Sequence, residues 1–346
     1  MRAAVLESMG KVTVKEVPTP VIDDESALVR IRSVSICGSD IRIVRSGNPR
    51  VIPPAIFGHE AAGEVVAAGK GVKRVKVGDR VAIGADVPCG NCSWCRNGLG
   101  NNCSVNYAIG YQIPGTFAEY MLLPRIVLEH GPVTVIPVDM EFDTAALAEP
   151  LACAINGLEL VSMSLGKTVC IIGLGPIGCM MIDLARMMGA ARVIGVQRGR
   201  KRLEIAKYWE ADDYLCLEDV DDLPAAIAEL THGHGPGIVM TTCGSPQAHE
   251  DAVQMVAHRG CVNFFGGLAK DARPITILSN TIHYKECFVT GSHGSVPRQH
   301  ELAVELLAKG MVRVGPLVTD RFPLNDFNAA LTKAESHSGM KVVVNP

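Results

Sequence analysis

Aromatic residues make up only 5% of the 346-residue chain, and neither sign of charge dominates, with 33 Lys and Arg against 36 Asp and Glu and a formal net charge of −3. So weak a field gathers neither nucleic acid nor an anionic membrane, and the expected partners are small molecules. Long hydrophobic runs are also missing. The longest uncharged apolar stretch, Thr168 to Ile182, is broken by four glycines or prolines and falls short of the roughly 20 residues that span a bilayer. Met1 to Glu7 lacks the apolar stretch of a secretory signal, so the mature chain is expected to begin there. Hydrophobic residues reach 48% and mean hydropathy is +0.21, which suits an apolar-cored protein of about two domains at roughly 150 residues each. A chain of this size needs no disulfide staples. Of its 12 cysteines, five sit in motifs that look like metal sites and seven are scattered through apolar strings, which fits a reducing cytoplasm.

The first half reads as β-rich. Short β-branched runs at Lys11 to Val17, Ala27 to Val34, Ala62 to Ala67 and Arg80 to Ile83 are separated by glycine, proline and aspartate, as in a compact barrel. From about Gly166 strands alternate with helices. Strands are expected at Thr168 to Gly173, Arg192 to Val196, Gly237 to Thr242, Cys261 to Phe265 and Glu286 to Gly291, and helices at Pro176 to Met188, Arg200 to Trp209, Gln247 to Ala257 and Arg298 to Lys309. Such alternation predicts an α/β unit with a parallel sheet covered on both faces. A final β run, Lys341 to Val344, is placed to return to the first domain. The expected division is residues 1–152, 153–291 and 292–346.

Two motifs carry chemistry on their own. Cys89, Cys92, Cys95 and Cys103 place four soft ligands in a Gly- and Asn-rich segment with little to bury, the spacing of a closed, structural Zn²⁺ site. Gly173-Leu174-Gly175-Pro176-Ile177-Gly178 follows an apolar strand and opens a helix, the context of a dinucleotide-binding turn. There the first glycine turns the chain, the second admits a pyrophosphate and the third lets helix and strand close up.

Around these lie Cys37-Gly38-Ser39-Asp40, Gly58-His59-Glu60 and Ala148-Glu149-Pro150. With the motifs above, the chain resembles the zinc-dependent medium-chain dehydrogenases, in the polyol and sugar branch related to sorbitol and threonine dehydrogenases. The resemblance implies a GroES-like β-barrel catalytic domain joined to a doubly wound Rossmann coenzyme domain. It implies a second, catalytic zinc bound by Cys37, His59 and a carboxylate, with Glu60 and Glu149 sharing the third position. The implied reaction oxidises a secondary alcohol, with hydride passing to a nicotinamide coenzyme and Ser39 carrying the leaving proton. Ile41, Arg42 and Ile43 stand where the family often continues its relay with a histidine. A homodimer or homotetramer is expected. Glu119 reads as structural. Arg42, Arg45 and Arg50 read as a solvated loop, with a sugar-phosphate contact as the other use.

The coenzyme choice rests on the end of the second Rossmann strand. NAD enzymes usually carry an acid there, whereas this chain has Gln197 followed by Arg198, Gly199, Arg200, Lys201 and Arg202. NADP is therefore expected over NAD, with Arg198 and Arg200 as contacts to the 2′-phosphate. Two other functions compete: a zinc-free quinone or enoyl-type reductase, and a non-enzymatic coenzyme-binding protein on the same fold.

Overall fold

The computed structural model describes residues 1–346, which form two compact units, Met1–Cys153 with Gly294–Pro346, and Ala154–His293.

The first unit is built on a seven-stranded sheet. Val133–Val135, Arg80–Ile83, Glu60–Ala68, Ala27–Ser35, Lys341–Asn345 and Val318–Pro323 follow one another, and Tyr120–Leu123 pairs with Ala27–Ser35 as well. Ala27–Ser35 is central because its burial alternates over the first residues and becomes continuous at Val34 and Ser35. The last strand reaches the middle of this sheet, pairing antiparallel at Val343↔Ser35 and Val344↔Val34. Ends of the chain more than 300 residues apart thus share one core, in which Phe57, Phe117 and Phe327 meet edge to face with centroids 4.7 to 5.6 Å apart.

The second unit holds a six-stranded, all-parallel sheet. Numbered in chain order as Thr168–Ile172, Arg192–Gln197, Asp213–Cys216, Ile238–Thr241, Cys261–Phe264 and Phe288–Gly291, its strands lie 3-2-1-4-5-6, the doubly wound order. Four details differ from the expectation. Asp213–Cys216 is a strand that the sequence reading passed over, as is Val318–Pro323 in the first unit. The run expected as a strand from Glu286 begins at Phe288, because Ser279–Lys285 is a helix that ends on Glu286 in the left-handed conformation, φ 48°. The helix expected through Trp209 tightens into a 3₁₀ turn at Lys207–Trp209.

Candidate active site and metal centres

Cys37 ends the core segment that follows Ala27–Ser35 and caps the helix Gly38–Ser46. Asp40 in that helix's first turn reaches back, accepting from the Cys37 N–H at 2.8 Å. Glu60 opens the neighbouring strand, directly opposite Ser35 in register, with His59 just before it. Adjacent strand ends therefore bring Cys37, His59 and Glu60 together, with one ligand atom from each lying within 4.8 Å of the others.

Second contacts orient these groups. Asp40, wholly buried, sets a carboxylate oxygen 3.4 Å from His59 Nδ1, which leaves Nε2 turned toward the site, 3.3 Å from Ser39 Oγ. A carboxylate behind an imidazole fixes the ring's orientation and raises its basicity as a metal ligand. Burial opposes a charge on His59, but Asp40, Glu149 and Glu60 hold its pKa above the ordinary value. Tyr111 stands beside this pair, its ring centroid 6.0 Å from that of His59, and burial pushes its hydroxyl up to about 12.

The two carboxylates named from the motifs part company. Glu60 is satisfied by protein: its Oε2 accepts from Ser35 Oγ and from the ammonium of Lys341, which also donates to the Ile36 carbonyl at 3.2 Å. Glu149 is outside the 4.8 Å cluster, though its charge is felt by His59 and Lys341. It is 6% exposed, the Cys153 thiol donates to it at 3.6 Å, and burial pushes its pKa up to about 8. Cys37 is likewise pushed up to about 12, by burial and then by Glu60. A buried set of thiol, imidazole and carboxylate, in which burial raises the pKa of Cys37 and of Glu149, is the donor chemistry that a divalent cation completes.

The four-cysteine lobe passes a sharper test. All four are free thiols with sulfurs within 4.8 Å of one another, at 3.4 Å for Cys92–Cys95 and 3.9 Å for Cys89–Cys95 and Cys92–Cys103. Four sulfurs about 2.3 Å from a tetrahedral zinc are about 3.8 Å apart, whereas a disulfide would bring two to about 2.05 Å. Backbone N–H groups of Cys89 and Asn91 already point at sulfur. Trp94, Leu99 and Val105 are exposed, so the lobe has little core of its own.

In the second unit the glycine turn behaves as its spacing requires. Gly173 has φ +104°, a Cβ on Gly178 would lie 2.1 Å from the Gly173 carbonyl oxygen, and Gly175 has nothing nearer than Arg202 Nη1 at 3.9 Å. Pro176 and Ile177 begin the helix Pro176–Met187. Gln197 is used inward, its Oε1 accepting from the Leu174 N–H at 2.8 Å. Arg200 turns away to Asp219 and Glu218, which neutralise it, while Arg198 is exposed and close enough to act on Cys243 and Arg202.

Sequence reading missed Asp40, Lys341 and Tyr111. A lone lysine opening an otherwise apolar final strand was a usable signal, as was the acid beside Ser39; Tyr111 had none.

Family comparison agrees with this layout. Residues 23–132 match the alcohol dehydrogenase GroES-like domain and residues 176–309 the zinc-binding dehydrogenase domain. The chain is 33% identical to an L-threonine 3-dehydrogenase of Bacillus licheniformis over 95% of this chain and 94% of the relative, and 31% identical to a sorbitol dehydrogenase of Bacillus subtilis over 100% and 97%. A zinc-binding dehydrogenase of Sinorhizobium meliloti, solved with NADP, superimposes with a TM-score of 0.92 at 29% identity, covering 100% of this chain and 99% of that one. The chain belongs to the zinc-dependent medium-chain dehydrogenases, in their polyol and threonine dehydrogenase branch, and is a nicotinamide-dependent alcohol oxidoreductase.

Proposed function

We propose that the chain oxidises a secondary hydroxyl of a polyol, sugar or sugar phosphate to the ketone, or reduces the ketone, with NADP and two zinc ions. The observation that carries this reading is the convergence of Cys37, His59 and Glu60 with Asp40 fixed behind His59. Cys37 and His59 hold the catalytic zinc, and a carboxylate completes the protein ligands. Glu149 is the better free donor of the two, because Glu60 is engaged by Lys341 and Ser35. When bound, the zinc supplies Lewis acidity to the substrate hydroxyl and the coenzyme accepts hydride.

Other roles fall to the chain itself. Asp40 keeps His59 Nε2 facing the site. Ser39 Oγ, part-exposed and 3.3 Å from His59 Nε2, takes the hydroxyl proton as it releases its own to solvent. The N–H groups at the start of Pro176–Met187 receive pyrophosphate, and Gly175 leaves it room. Arg198 is the favoured 2′-phosphate contact, with Arg202 beside Gly175 a better second than the neutralised Arg200. Cys89, Cys92, Cys95 and Cys103 hold the structural zinc.

No helix is long and apolar enough to cross a membrane, and twelve free thiols suit a reducing cytoplasm. Assembly as a homodimer or homotetramer is supported by the strand Phe288–Gly291, which lies at the sheet's edge with Phe288 62% exposed.

The test is metal counting beside turnover. Wild type should carry two zincs per chain and oxidise polyols in a chelator-sensitive manner, and Cys37→Ser should keep one zinc and lose turnover. Two zincs and most of the rate in Cys37→Ser would end this assignment; one zinc in wild type with no turnover would favour the coenzyme-binding protein.

A further inference from the structure

Three arginines follow the Cys37 segment closely, and the fold gives them different uses. Arg42 is exposed on the helix Gly38–Ser46. Arg45 grips both carboxylate oxygens of Glu335, at 2.5 and 2.6 Å, which neutralises it. Arg50 is half-buried and pairs with no carboxylate. Its Nη2 donates to neutral acceptors, the Asn106 carbonyl and Gln112 Oε1, and its Nε is sealed from solvent without a partner. The guanidinium carbon lies 4.9 Å from the centre of the Tyr111 ring.

Tyr111 links this cation to the reacting groups. Its ring lies 6.0 Å from that of His59, whose Nε2 is 3.3 Å from Ser39 Oγ. The two spans, 6.0 and 4.9 Å, put the Arg50 guanidinium within about 11 Å of the His59 ring. A five- or six-carbon chain with a hydroxyl at Ser39 reaches that far with its other end.

A guanidinium positioned by a carbonyl, an amide and an aromatic face keeps its whole charge and a preset plane, and its Nη1 N–H groups, which donate to no protein acceptor, suit the oxygens of an anion. We propose that Arg50, mounted on Tyr111, binds a phosphate monoester at the end of the substrate remote from the oxidised carbon. The substrate is then a phosphorylated polyol and the product its keto counterpart, with the ester untouched by the reaction. This assignment rests on the dehydrogenase reading above and narrows its substrate class.

The experiment compares sorbitol with its terminal monophosphate, and a pentitol pair in the same way, in the zinc-loaded protein with saturating NADP. Wild type should favour the esters in kcat/KM. Arg50→Met should lower the ester-to-polyol ratio by roughly 10- to 100-fold, mainly through KM, as expected for lost charge-assisted hydrogen bonds. Arg50→Lys, which keeps the charge but not the fork, should lie between, and Arg45→Met should leave the ratio alone. Equal use of ester and free polyol by wild type, or an equal loss for both in Arg50→Met, overturns the proposal and leaves the dehydrogenase reading intact. If no alcohol is turned over, the dehydrogenase reading fails. Calorimetric titration of sorbitol monophosphate then decides the phosphate site: ester binding that Arg50→Met abolishes supports it, and binding unchanged by Arg50→Met, or none in wild type, removes it.

Discussion

Lys341→Met is the most informative single change, because it acts on a pair whose side chains are 7% and 1% exposed. The substitution keeps much of the side chain's length but removes the cation facing Glu60. Glu60 retains only the Ser35 hydroxyl from its present donors, and the Ile36 carbonyl loses its bond from Lys341. Removing one member of a buried ion pair costs about 3–5 kcal/mol. With a urea dependence of about 2–3 kcal/mol per molar for a unit of this size, the midpoint should fall by about 1–2.5 M. The chain's two tryptophans allow the measurement, since Trp94 lies in the unit that holds the pair and Trp209 in the other. A Trp209→Phe background makes fluorescence report the relevant unit. Glu60→Gln added to Lys341→Met should recover most of the loss, returning to within about 1 kcal/mol of the parent, because no uncompensated charge then remains. Burial lowers the Lys341 pKa, but Glu60 and Cys37 more than reverse this and hold it above 10.5. A raised amine pKa stabilises the fold fully below the unfolded value and ceases to do so as pH climbs through the folded one. The Lys341→Met penalty should therefore be flat from about pH 6 to 9 and shrink only in strong alkali. A midpoint shift below about 0.3 M, or a double variant no more stable than the single one, would refute the reasoning.

Cys95→Ala should release one zinc and lower thermal stability while leaving coenzyme affinity in place, because a closed site contributes directly to folding; unchanged zinc content and melting would remove the structural-zinc assignment. Arg198→Ala should shift the kcat/KM ratio of NADP to NAD toward NAD by roughly 10-fold or more, whereas Arg200→Ala, already neutralised by Asp219, should move it little; a wild type that favours NAD would end the NADP reading.

Much was legible in the sequence, because some chemistry is written in local spacing. Four thiols in fifteen residues can close on one cation whatever surrounds them, and their sulfurs lie at tetrahedral distances. The glycine turn is equally local, since Gly173 is required by its φ of +104° and Gly178 by a carbonyl oxygen 2.1 Å from where its Cβ would be. Alternating strands and helices likewise implied the parallel sheet, because hydrophobic period follows backbone geometry. The long-range partners were not legible. Lys341 meets Glu60 across 281 positions, and only the pairing of the final strand with Ala27–Ser35 brings them together. The different fates of Glu60 and Glu149 follow from that pairing, since a carboxylate is occupied or available according to what the fold sets beside it. Arg42, Arg45 and Arg50 were alike in sequence, each a cation near Cys37. Tertiary structure alone exposed the first, neutralised the second against Glu335 and set the third on Tyr111, because charge acts through space and not along the chain.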